Sequence, residues 1–118
     1  MNLGGSLQEL RLNNNAVIKD LYPLKYDATY AIFFPFANRI ADGTYVFNNF
    51  FFDINQKEEN NAIHGLVYEK TFVLVEQHMI SEQASVLLRN EEKKYKNGFP
   101  YAYTIELKYS LTNDLICN

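Results

Sequence analysis

The chain has no tryptophan, one cysteine, three prolines and five glycines in 118 residues. Each shortage excludes something. Cys117, near the end, can form no internal disulfide, and no cysteine-based zinc site can be built. A reducing, cytoplasmic setting is the default reading of such cysteine usage. So few prolines and glycines leave no linker that would divide the chain, and nothing repeats at a fixed period. The length suits a single domain. Basic charge is also short: 11 Lys and Arg against 14 Asp and Glu give a net charge of −3. A sequence-blind nucleic-acid binder needs a basic face, so this balance argues against nucleic acid as a partner. The longest apolar run, Ala31 to Ala37, contains Pro35 and falls far short of a bilayer span, so no membrane partner is expected. Met1 to Ser6 lacks the basic patch and apolar stretch of a signal peptide.

What is abundant is aromatic and amide. Tyrosine and phenylalanine supply nine residues each, and there are 14 asparagines. Aromatics favour strands and asparagine favours turns, so the chain reads as mainly β with many corners. Leu7 to Leu12, Asn13-Asn14-Asn15 and Ala16 to Lys19 predict a short hairpin. Lys19 to Tyr30 has mixed polarity and reads as irregular, with room for one helical turn. Thr44 to Phe47 and Phe50 to Ile54 flank Asn48-Asn49, a strong hairpin signal because asparagine tolerates positive φ. Gln56 to Asn61 reads as a polar loop, Thr71 to Glu76 and Ala84 to Arg89 as strands around a polar connection, and Glu91 to Gly98 as a solvated turn. From Tyr101 to Leu111 the pattern alternates strictly: Tyr101, Tyr103, Ile105, Leu107, Tyr109 and Leu111 share one face, predicted to be buried. An antiparallel β-sandwich, or part of one, is the natural class. Strands cut off from neighbours would leave open edges, so the isolated chain is expected to be marginal, aggregated or self-associating through those edges.

Two segments carry candidate chemistry. In Phe33-Phe34-Pro35-Phe36-Ala37-Asn38-Arg39-Ile40-Ala41-Asp42-Gly43 an apolar run ends abruptly in Asn38 and Arg39. An amide and a planar fork of donors suit a polyol. The plainer reading is that Arg39 ion-pairs at a strand end and Asn38 caps a turn. In Asn60-Asn61-Ala62-Ile63-His64-Gly65-Leu66-Val67-Tyr68, the glycine after His64 lets backbone or ligand approach closely. An imidazole there can bind a hydroxyl or shuttle a proton; equally, it can be a satisfied structural histidine. His78 has no ligand spacing to His64 and reads as a surface residue, so no metal site is expected. Ser6, Ser81, Ser85 and Ser110 lie in no nucleophile elbow, and Gly4-Gly5 stand alone rather than in a phosphate loop.

Taken together and in order, these segments resemble the aldose 1-epimerase (galactose mutarotase-like) family. The matching pieces are Phe36-Ala37-Asn38-Arg39-Ile40, the turn Asp42-Gly43, the hairpin from Tyr45 to Phe52, and Asn60-Asn61-Ala62-Ile63-His64-Gly65. Gly4-Gly5-Ser6-Leu7 and Asn97-Gly98-Phe99-Pro100 with its following strand also match, so the resemblance runs from about Leu3 to about Leu111. Phe-Pro-Phe precedes Ala37-Asn38-Arg39, and Leu66 replaces a second glycine after Gly65, which looks like a divergent subgroup.

The resemblance implies that residues 1–118 form a single partial domain, the N-terminal part of a larger antiparallel β-sandwich. It implies an isomerase that interconverts the α and β anomers of free aldoses, with an aldohexose as partner and no cofactor. In the family a late glutamate takes the proton from the C1 hydroxyl and a histidine in mid-sequence protonates the ring oxygen. Neither can be assigned in this chain. The matched positions imply that Asn38, Arg39 and His64 bind substrate, with His64 assisting catalysis rather than serving as the main acid or base, and Asn38 orienting a hydroxyl or supporting Arg39. The alternatives are a non-catalytic carbohydrate-binding fragment and a hexose-6-phosphate mutarotase. The latter ranks lower because Lys and Arg do not cluster around the two motifs.

Overall fold

Consecutive left-handed residues set three of the corners. A computed structural model describes residues 3–18, 31–54, 57–94 and 98–112. Within them φ is +48° and +63° at Asn13 and Asn14, +50° and +64° at Asn48 and Asn49, and +47° and +71° at Glu59 and Asn60. Two such residues in a row make the tight turn whose twist matches that of antiparallel strands. Asparagine enters this region more readily than most residues because its short amide hydrogen-bonds locally. The first turn joins β1 (Leu10–Leu12) to β2 (Asn15–Ile18), and the second joins β4 (Thr44–Phe47) to β5 (Phe50–Asp53). Both hairpins were legible. The first turn is one residue tighter than expected, since Asn15 pairs with Leu12.

The third turn is a correction. Gln56 to Asn61 was expected to be a loop, yet β6 (Lys57–Glu58) pairs with β7 (Asn61–Ile63) across Glu59-Asn60. β6 has only two residues and no apolar alternation, so backbone pairing alone makes it a strand. β7 in turn pairs with β3 (Arg39–Ile40), and a single 3₁₀ turn, Ala41–Gly43, leads from β3 into β4.

The largest sheet is a meander of β8 (Val73–Ile80), β9 (Gln83–Glu92) and β10 (Tyr103–Thr112), in the order β10-β9-β8. All named strands pair antiparallel. β8 and β9 are longer than expected. The turn between them is Ser81-Glu82 alone, so His78 lies within a strand, and Glu91 and Glu92 belong to β9 rather than to a turn. The alternation of β10 holds through its middle: Tyr103, Ile105, Leu107 and Tyr109 are half-buried, while Thr104, Glu106, Lys108 and Ser110 are exposed. At the ends the expectation fails. Tyr101 and Leu111 are 54% and 57% exposed, because no element covers that face there among the described residues.

The core is small. Ile54, Ala62, Leu66 and Val67 are buried together, ringed by Phe34, Phe36, Ile40, Tyr45, Phe99 and Tyr103. Phe34 meets Phe99 edge-on at 5.6 Å, the geometry that ring quadrupoles favour, and Tyr103 in a tilted contact at 5.1 Å. Gly4 and Gly5 tie three parts together. The Gly4 N–H donates to the Lys70 carbonyl (2.8 Å), its carbonyl accepts from Ile32 N–H (3.0 Å), and Tyr109 Oη donates to the Gly5 carbonyl (2.6 Å). The expected irregular stretch from Lys19 to Tyr30 and the cysteine lie outside the described residues. No helix among the described residues is long and apolar enough to cross a membrane.

Candidate functional site

Asn38 and His64, 26 residues apart, are stitched to each other twice. The His64 N–H donates to the Asn38 carbonyl at 2.9 Å, and the Asn38 N–H donates to His64 Nδ1 at 3.3 Å. Both residues are left-handed, with φ of +66° and +56°. Such backbone strain in ordinary L residues persists only where the surroundings over-determine it, and here the reciprocal bonds do so. One step along, β3 and β7 continue the pairing, with Arg39 opposite Ile63 and Ile40 opposite Ala62. Asn38 and His64 therefore meet, and Arg39 follows Asn38 on β3.

The same two segments touch again on the other side of His64. Phe34 forms a parallel bridge with Gly65, and the Leu66 N–H donates to the Phe34 carbonyl at 2.6 Å. At Gly65, φ is +77°, and a Cβ there would lie 2.1 Å from the Phe34 oxygen. Only glycine permits this approach. The close contact expected from the His-Gly pair is thus made by backbone. Asn61 Oδ1 accepts from the Asp42 N–H (3.3 Å), which ties the 3₁₀ turn to β7.

The imidazole is held in place. Phe33 stacks on it, with centroids 4.1 Å apart and planes 12° from parallel, and Tyr68 meets it edge-on at 5.8 Å. Because Nδ1 accepts a backbone N–H, the neutral ring carries its proton on Nε2, an assignment made from the hydrogen bond. His64 is half-buried and presents Nε2–H as a donor; Arg39 is exposed on β3. A guanidinium fork and a fixed N–H donor can each donate to the oxygens of a polyol, and such donors stabilise negative charge growing on an oxygen.

Sequence reasoning singled out Asn38, Arg39 and His64 and did not single out the two rings that lie against His64. Phe33 lay unremarked in the apolar run, and Tyr68 carried no signal beyond its place four residues after His64. The Asn38 backbone, which sequence reasoning did not consider, pairs with His64. His78 stands elsewhere, on β8, exposed and in contact with Glu76. Among the described residues, no group of three or more His, Cys, Asp or Glu is placed to hold a metal ion.

On the core side of β3 lies an apolar cavity of about 380 Å³, lined by Pro35, Phe36, Ile40, Tyr45, Phe99 and Tyr101 among others. Ile40 faces it, so Arg39, its neighbour in an extended strand, projects from the opposite face. Tyr45 Oη donates to the Gly98 carbonyl. Burial, and next to it the neighbouring Tyr101, pushes the Tyr45 phenol above its ordinary value. The cavity and the polar patch are separate features.

Solved structures share this arrangement of strands. Galactose 1-epimerase from Lactobacillus acidophilus NCFM superposes with a TM-score of 0.76 at 21% identity, over 95% of this chain and 36% of that one. A galactose mutarotase-like protein from Clostridium acetobutylicum gives a TM-score of 0.72 at 23% identity, over 94% of this chain and 37% of that one. At these identities the likeness concerns the fold, an antiparallel β-sandwich of which this chain spans little more than a third. The family is given by sequence: the aldose 1-epimerase model matches residues 1–116, so the chain belongs to the aldose 1-epimerase family.

Proposed function

We propose that the chain supplies the sugar-orienting side of an aldose 1-epimerase site, with an aldohexose as substrate. Arg39 donates to sugar oxygens through its fork, and His64 donates through Nε2–H to the oxygen on which charge grows as the ring opens. Asn38 sets the imidazole through its backbone and offers its amide to a hydroxyl. His64 assists and is neither the principal acid nor the principal base. The observation that supports this reading is the reciprocal Asn38–His64 hydrogen bonding, which leaves Nε2–H as the imidazole's donor.

Because the chain spans 36% of the length of the galactose 1-epimerase it resembles, a second reading has its own support: sugar is bound without turnover. Two measurements separate them. Saturation-transfer NMR with α-D-glucose and α-D-galactose reads binding, and polarimetry of the same freshly dissolved sugars reads turnover. Binding that weakens roughly tenfold in His64→Ala, and by that much or more in Arg39→Ala, is expected for lost hydrogen bonds, the second of them charge-assisted. Undiminished binding in both variants would remove the site. Acceleration of mutarotation above the spontaneous rate, lost in His64→Ala, selects the enzyme reading; binding without acceleration selects the other.

A further inference from the structure

We propose that Phe33 is a positioning residue: its ring fixes the plane of the His64 imidazole, so that Nε2–H stands in its donating direction before a sugar arrives. The proposal deepens the reading of His64 as a sugar donor and rests on it. Phe33 is itself firmly placed. On one side of it the Ile32 N–H donates to the Gly4 carbonyl at 3.0 Å, and on the other the Phe34 carbonyl accepts from the Leu66 N–H at 2.6 Å. Phe34 also bridges Gly65, the residue next to His64. The two adjacent rings then part. Phe34 packs on Phe99 and Tyr103 around the core, while Phe33 lies flat on the imidazole, 12° from parallel.

Stack and hydrogen bond divide the work. The last torsion of a histidine side chain is broad and roughly two-fold, so the side chain does not hold its own plane. Phe33 covers one face of the ring at a centroid distance of 4.1 Å, and Tyr68 stands nearly perpendicular to it at 79°. A parallel ring sets the plane but allows a half-turn, which would exchange Nδ1 with Cδ2 and Nε2 with Cε1. The Asn38 N–H removes that choice, because only Nδ1 can accept from it. At 3.3 Å that bond is long, and by itself it would hold the ring loosely. The stack supplies the missing restraint. A leucine at position 33 would be as apolar but would offer no plane. A donor already aimed need not be ordered on binding, and the saving appears as affinity.

Imidazole NMR of the 118-residue chain tests the positioning directly, without sugar. The chain has two histidines, and His78→Gln on β8 tells their signals apart. At about pH 8, where imidazoles are neutral, long-range proton–nitrogen spectra should show His64 with its proton on Nε2 and Nδ1 bare. In Phe33→Leu the two nitrogen shifts should move toward each other as the ring leaves the Asn38 N–H and the tautomers mix. Phe33→Tyr, which keeps the plane, should restore the wild-type pair. Wild-type shifts in Phe33→Leu overturn the proposal, as does a Phe33→Tyr variant that behaves like Phe33→Leu while its amide spectrum stays folded. Saturation-transfer NMR with α-D-glucose and α-D-galactose then reads the consequence. Phe33→Leu should weaken binding about three- to tenfold, the cost of ordering one side chain on binding. In a His64→Ala background the same substitution should change nothing, because Phe33 acts through the imidazole. Equal losses in both backgrounds also overturn the proposal. A wild-type chain that binds neither sugar removes the sugar site, and the nitrogen shifts alone then decide for or against Phe33.

Discussion

Gly65 links the order of the site to the order of the core. Its missing side chain lets the Phe34 carbonyl come within reach of the Leu66 N–H, and that contact holds His64 beside Asn38. Gly65→Ala should cost at least about 2 kcal/mol, from left-handed strain together with a backbone clash. Urea melts read the loss, and sugar binding should fall with it. An alanine variant as stable as wild type would contradict the close approach. Tyr109 tests a second anchor. Its hydroxyl donates to the Gly5 carbonyl, so Tyr109→Phe should cost about 1 kcal/mol. Burial also raises the Tyr109 phenol above its ordinary value of 10.0. A folded pKa above the unfolded one means stability that is fully present below the unfolded value and lost as pH rises through the folded one. Stability should therefore decline above roughly pH 10, and more shallowly in Tyr109→Phe. Urea melts across that range read the difference, and equal slopes would sink the assignment.

Among the elements, the hairpins show what asparagine contributes. In β4–β5, Asn49→Ile forces a β-branched residue to a φ of +64° and should cost about 1–2 kcal/mol, whereas Asn49→Gly should be neutral or slightly stabilising. Denaturant melts of the pair give the contrast, and the reverse order would mean that the turn is not of this type. The same logic explains the missed hairpin. Asn48-Asn49 lies between aromatic runs, so turn and strands announce each other. Glu59-Asn60 follows Lys57-Glu58, whose residues carry no pattern, and only the presence of β7 beside them makes a strand. The Arg89–Glu106 pair crosses from β9 to β10 in full view of solvent, with contacts of 2.6 and 2.9 Å. Exposure and salt screening hold such a pair to about 1 kcal/mol or less.

At the scale of the molecule, surface is in excess. The accessible area is 9159 Å², against about 6,600 Å² for a folded monomer of this mass. The radius of gyration is 17.0 Å, against about 13.5 Å for a domain of this length. The excess has an apolar share: Val46, Phe50 and Phe51 are each between 68% and 69% exposed, while Ile54, a few residues on, is buried. That contrast gives a paired prediction. Ile54→Ala should cost about 2–5 kcal/mol, as deletion in a packed core does. Phe51→Ser should change stability by about 0.5 kcal/mol or less and raise the concentration at which the chain stays in solution. Melts and a solubility titration read the two; a large loss in Phe51→Ser would show that the phenyl ring is covered in solution.

The sequence by itself determined what depends on near neighbours. Asparagine pairs marked two hairpins, alternation from Tyr103 to Tyr109 marked a one-sided strand, and Asn38-Arg39 with His64-Gly65 carried the resemblance to the family. These are local properties, set by backbone sterics and by the two-residue period of a strand. Tertiary structure decided the rest. It brought Asn38 to His64 across 26 residues, laid Phe33 on the imidazole, set Nδ1 against the Asn38 N–H, and made a strand of Lys57-Glu58. Each of these depends on which segments come to lie side by side, and no short stretch of sequence contains that information, because the partner that supplies the hydrogen bond or the ring is far away along the chain.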